Sequence, residues 1–188
     1  MKRLKFTVIA VVLTTLISCG GGSANQEATA DGFTEIQNEF KSKFGDNAYY
    51  TDLDIVYDES IGNIINTIVT SEPESLKMAE WSQSQGAWTE TSEVSLEIPE
   101  GTKATDFMFQ LGDEISLTEL GGLIEKAKLK LKEEKDLANP TLSIASIIFP
   151  DDGDVSNASY SISLNPENGG TTFRFSYSLD GELLDMDY

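Results

Sequence analysis

Two stretches of helical periodicity, each followed by a run of strand-like segments, constrain the fold of this 188-residue chain more than any other feature. In the first stretch Phe33, Ile36, Phe40 and Phe44 are spaced three and four apart, which gathers them on one face of a helix from Asp31 to Gly45. Asp31 suits the start of that helix and Gly45 its end. Tyr49, Thr51, Leu53, Ile55 and Tyr57 then alternate with Tyr50, Asp52, Asp54, Val56 and Asp58. Period-two alternation predicts a strand with the first set inward and the second set wet. A turn at Asp58 to Asn63 leads to a second strand from Ile64 to Thr70. Leu76 to Ser82 and Ala87 to Ile98 read as a hairpin around Gln83 to Gly86, with Trp88, Val94, Leu96 and Ile98 sharing a parity. Phe107, Phe109 and Leu111 suggest one more short strand.

The second helix has the clearest start. Ser116-Leu117-Thr118-Glu119 reads as a capping box, and Leu117, Leu120, Ile124, Ala127 and Leu131 form an apolar stripe that Asn139-Pro140 ends. Gly121 and Gly122 inside it cost about 1 kcal/mol each relative to alanine, which a close backbone approach to the sheet would explain. Strands follow at Thr141 to Phe149, Ser156 to Leu164, Thr171 to Leu179 and Leu183 to Tyr188, with Asp180-Gly181 as the last tight turn. The expected class is α+β: two helices packed on antiparallel sheet or sheets, in a helix-then-meander pseudo-repeat. Residues 31–188 are expected to form a single globular domain with halves at 31–112 and 113–188. Each half has about 75 to 80 residues and no disulfide and would be marginal alone, so the halves are expected to share a core or a sheet rather than to swing independently. In layout, the order is similar to small periplasmic modules of the PepSY and cystatin-like kind.

The amino terminus has a different character. Lys2, Arg3 and Lys5 precede an apolar run from Phe6 to Ile17, which suits the core of an export signal over residues 1–18. That run is shorter than the roughly 20 residues that span a bilayer, and no later run is longer. The segment Leu16-Ile17-Ser18-Cys19-Gly20 resembles the lipobox of bacterial lipoproteins. The resemblance implies cleavage before Cys19, a diacylglyceryl group on its thiol, and a further acyl chain such as palmitate on the new amino terminus. Several chains at about 0.8 kcal/mol per buried methylene hold a protein at a membrane without a spanning helix. Residues Gly20 to Ala30 hold no large apolar side chain, so positions 19–30 read as the lipidated cysteine and a flexible tether. No aspartate follows Cys19, which within that family favours the outer membrane.

Cys19 is the one cysteine and there is no histidine. Disulfides, His-metal sites and Ser-His or Cys-His catalysis are thereby excluded, and no catalytic, cofactor-binding or metal-ligating residue is assigned. Thirteen basic side chains against 32 acidic ones give a formal charge of −19, and three of the basic ones lie in the signal. A field of that sign repels nucleic acid. Lys126, Lys128, Lys130, Lys132 and Lys135 gather on the second helix, either as a positive stripe or, more simply, as a solvated face balanced by Glu125, Glu133, Glu134 and Asp136. Asp151-Asp152-Gly153-Asp154 lacks the spacing of an EF-hand and reads as a turn. Asp52, Asp54 and Asp58 share the wet strand face. Trp81 and Trp88 flank a polar turn, where they would staple a hairpin or stack on sugar.

These features point to a lipid-anchored cell-envelope module that binds an envelope protein or small ligand without catalysis. A calcium-dependent surface protein and a carboxylate-based glycan hydrolase are the alternatives. Only acidity supports them, and no pair of carboxylates is singled out.

Overall fold

A computed structural model of the chain describes residues 22–187. The export signal, Cys19 and the lipobox lie outside the described residues. Two helices, α1 (Ala30–Phe44) and α2 (Leu117–Lys135), cover one face of a single eight-stranded antiparallel sheet. Its strands are β1 (Tyr49–Asp58), β2 (Gly62–Thr70), β3 (Lys77–Ser84), β4 (Ala87–Ser95), β5 (Thr141–Ile148), β6 (Ser159–Asn165), β7 (Phe173–Ser178) and β8 (Leu183–Asp187). The fold is α+β, and each helix precedes a four-strand meander. The order across the sheet is β4-β3-β2-β1-β5-β6-β7-β8. The two meanders therefore meet through their first strands, with Leu53 opposite Ile147 and Ile55 opposite Ala145.

One core fills the space between helices and sheet. Phe33, Ile36 and Phe40 of α1, and Leu117, Leu120, Ile124 and Leu131 of α2, are buried against Leu53, Ile55, Ile65, Ile162 and Phe175. Each such side chain contributes about 1.5–3 kcal/mol on burial. Both halves of the chain supply this core. A second, smaller cluster lies on the opposite face of the sheet, where Met78, Ala104 and Met108 are packed by Ile68, Val94, Leu96 and Ile98. The segment after β4 thus folds back over the outer face of the first meander.

Two bulges overturn parity readings. Opposite β2, Tyr50 faces Val69 while Asp52 faces Ile68, so Thr51 is an extra residue on β1. The inward set is consequently Tyr50, Leu53 and Ile55, not the unbroken series from Tyr49 to Tyr57, and Tyr57 is exposed. On β4 the extra residue is Thr91, because Glu80 faces Ser92 and Trp81 faces Glu90. Trp88 therefore joins the main core while Val94, Leu96 and Ile98 lie on the other side. In place of a strand through Phe107, Phe109 and Leu111 there is a 3-10 turn at Ala104–Phe107, and Phe109 makes a lone bridge to Tyr50.

The caps also differ from expectation. Thr29 caps α1, its hydroxyl accepting from the Gly32 N–H at 3.2 Å, and Asp31 lies inside the first turn. The Ser116 hydroxyl accepts from the Glu119 N–H, but the Ser116 N–H donates to the Tyr160 hydroxyl at 2.9 Å. Only half of the capping box forms, because a buried tyrosine meets the other need.

Candidate functional site

From Gly22 onward, the segment read as a flexible tether is a docked strap. Ser23–Asn25 form a 3-10 turn, and Ser23 and Ala24 are buried. Asn63 of β2 donates to the Ser23 carbonyl at 2.9 Å and the Gln26 carbonyl at 2.8 Å. Gln83 of β3 donates to the Ser23 hydroxyl at 2.6 Å. The Ser23 N–H donates to Glu39 of α1 at 2.6 Å, and the other oxygen of that carboxylate accepts from the Trp88 indole at 2.7 Å. Asn63 and Gln83 are fully buried, so each bond also satisfies a group that would be costly to leave alone.

Three glycines make room for this strap. A Cβ at Gly62 would lie 2.1 Å from the Ala24 carbonyl oxygen, one at Gly32 2.1 Å from that of Glu27, and one at Gly121 2.3 Å from that of Thr29. Gly121 thus admits the strap rather than the sheet, and Gly122 has nothing within 4 Å of its Cβ position. Beside the strap opens a cleft of about 1010 Å³ lined by Gln26, Tyr57, Ile61, Lys128, Pro140 and Leu142 among others. Burial lowers the Lys128 ammonium pKa below the usual lysine range, opposed by Glu125 and Glu27, and its Nζ reaches the Ala28 carbonyl at 3.4 Å.

The second notable surface is the outer face of the sheet, away from the helices. One row of directly opposed residues crosses seven strands: Ser82, Asn66, Asp54, Ser146, Ser161, Ser176 and Asp185. The next row runs Ile64, Val56, Ile144, Ser163, Arg174 and Asp187. Small polar side chains dominate over β5 to β8, where no helix among the described residues lies. At its β1 side Asp52 sits near Asp54 and Glu80. Burial first, then those two carboxylates, raises its pKa.

The sequence-level candidates fall elsewhere and apart. The lysines of α2 do not form one stripe: Lys126 donates to the Gly181 carbonyl at 2.7 Å, Lys128 turns to the strap, and Lys130 pairs with Glu134. Asp154 accepts from the Ser156 N–H and hydroxyl, which lowers its pKa, and Asp152 accepts from the Asp154 N–H, so these carboxylates brace their own turn. Among the described residues no three metal-ligating side chains come together. Trp81 and Trp88 do not pair with each other. Phe44 packs edge-on to both, at 5.8 and 5.1 Å between ring centroids, and the Lys43 ammonium lies 4.1 Å from the Trp81 centroid. They staple α1 to the sheet.

Sequence reasoning missed Glu39, Asn63 and Gln83 as strap holders. Their one signal was polarity at inward positions: Asn63 shares parity with Ile65 and Val69, and Gln83 pairs with Ile65. Against protein-family models, curated proteins and solved structures, the chain matches none.

Proposed function

We propose that this protein is a lipid-anchored module of the bacterial cell envelope, held through Cys19 at the outer membrane, that acts by binding another envelope component. The anchor reading is supported by Leu16-Ile17-Ser18-Cys19-Gly20 and the basic-then-apolar run before it. The observation that carries the binding reading is the outer face of β5 to β8. It is set with serines, of which Ser161 and Ser176 are half-buried while Ser146 and Ser163 are buried, and it carries Asp185 and Asp187 beside Arg174. Such a face offers hydrogen bonds and negative charge, which suits a basic protein surface better than a small substrate.

Two measurements test this. Mass spectrometry of native protein should find an acylated Cys19 at the mature amino terminus; a free thiol or an intact leader defeats the anchor. A photo-crosslinking residue placed at Ser161 or Ser176 in living cells should capture one recurrent partner. The same residue at Asn38 on the exposed side of α1 should not. Equal capture from both positions defeats the docking face.

A further inference from the structure

We infer that the body is held to the lipid surface by one particular end of the sheet and does not swing beneath a tether. This rests on the Cys19 anchor proposed above. The strap fixes where the chain leaves the body. Gly22 lies beside the β3–β4 turn, where a Cβ on it would come within 3.7 Å of the Gly86 Cα. From Cys19 to Gly22 there are three Cα–Cα steps of about 3.8 Å, so the lipidated residue is no more than about 11 Å from Gly22, which itself lies against the hairpin tip. The tether expected from composition would have reached several times farther.

Strand directions then set the orientation. β1, β3 and β6 all run toward the strap end, and β2, β4, β5 and β7 run away from it. The tip at Gln85-Gly86 and the turn at Glu59-Ser60 therefore face the headgroups. The β2–β3 connection stands at the far end. Eight residues of β3 separate it from the hairpin tip, a rise of roughly 26 Å. The last turns of α2 bring Lys132 and Lys135 to the lipid side, beside Glu133, Glu134 and Asp136, so charge there is mixed. Held this way, the strands stand along the membrane normal and both sheet faces open sideways.

The test uses the chain from Cys19 to Tyr188, its thiol coupled to a maleimide lipid in phosphatidylcholine vesicles that also carry an acceptor-labelled lipid. A fluorophore on a non-canonical residue is placed at Gln85 or at Glu74. Because the two positions differ by roughly 26 Å in height, energy transfer from position 85 should exceed that from position 74 by at least about twofold. A twelve-residue Gly/Ser insert between Gly21 and Gly22, with a coil dimension of about 20 Å, should bring the two values together. Equal transfer from both positions without the insert overturns the orientation. The anchor is supplied chemically, so that outcome is separate from whether native Cys19 is acylated.

Discussion

At the scale of single residues, glycines and buried amides decide how the chain begins. Gly62 has φ of +80° and lies against Ala24, whereas Gly86 has φ of +79° with nothing near its Cβ position. Gly86→Ala should therefore cost about 1 kcal/mol, the backbone term alone, and Gly62→Ala at least about 2 kcal/mol more from the displaced strap. Urea midpoints of the two variants would show the difference; equal midpoints would mean that the strap contributes nothing. Asp52 makes a second case. Its raised pKa means that the folded chain holds this proton more tightly than the unfolded chain. Its contribution to stability therefore falls as pH rises from the ordinary aspartate range through the raised value. Asp52 is exposed and solvent screens its neighbours, so Asp52→Asn should stabilise the protein only slightly at neutral pH, and thermal melts should show the gain fading toward acid pH. The polarity of Asn63 and Gln83 was visible in the sequence, but their partner was not. It lies 40 and 60 residues upstream, and no local pattern encodes a contact at that separation.

At the scale of elements, helices and turns were legible because their signals are local, and bulges were not. The spacing of Phe33, Ile36, Phe40 and Phe44, and of Leu117, Leu120, Ile124 and Leu131, gave both helices to within about a turn. Thr51 and Thr91 have nothing in their own identity to mark an extra residue, yet each inverts the facing of the strand residues beyond it. The strap was misread for a related reason: Gly-Ser-Ala-Asn composition fits a coil until buried donors claim its carbonyls. Within α2, two adjacent glycines should behave in opposite ways. Gly122→Ala should stabilise the helix by about 0.8–1 kcal/mol. Gly121→Ala should destabilise the protein, because its Cβ would meet Thr29 backbone at 2.3 Å. Chemical denaturation of the pair checks this, and a matching gain from both would show that α1 and α2 are not closely docked there.

At the scale of the whole molecule, the central pairing of β1 with β5 joins the meanders into one sheet under one core. Residues 31–112 and 113–188 expressed separately should each lack the far-ultraviolet dichroism of a folded sheet, while the intact chain should unfold in one calorimetric transition. Two resolved transitions would show that the halves are independent. The seam was not legible, since nothing in either half states which strand will be its neighbour. It also decides what lies at the margins: the last strand of each half, β4 and β8. Each margin is kinked by an extra residue, Thr91 in one and Leu184 in the other, and each bears carboxylates, at Glu90 and Glu93 and at Asp185 and Asp187. On the anchoring proposed above, copies of this chain would share a bilayer and meet one another more often than in free solution. With both borders bent and negatively charged, neighbouring copies can crowd side by side without zipping into a fibril.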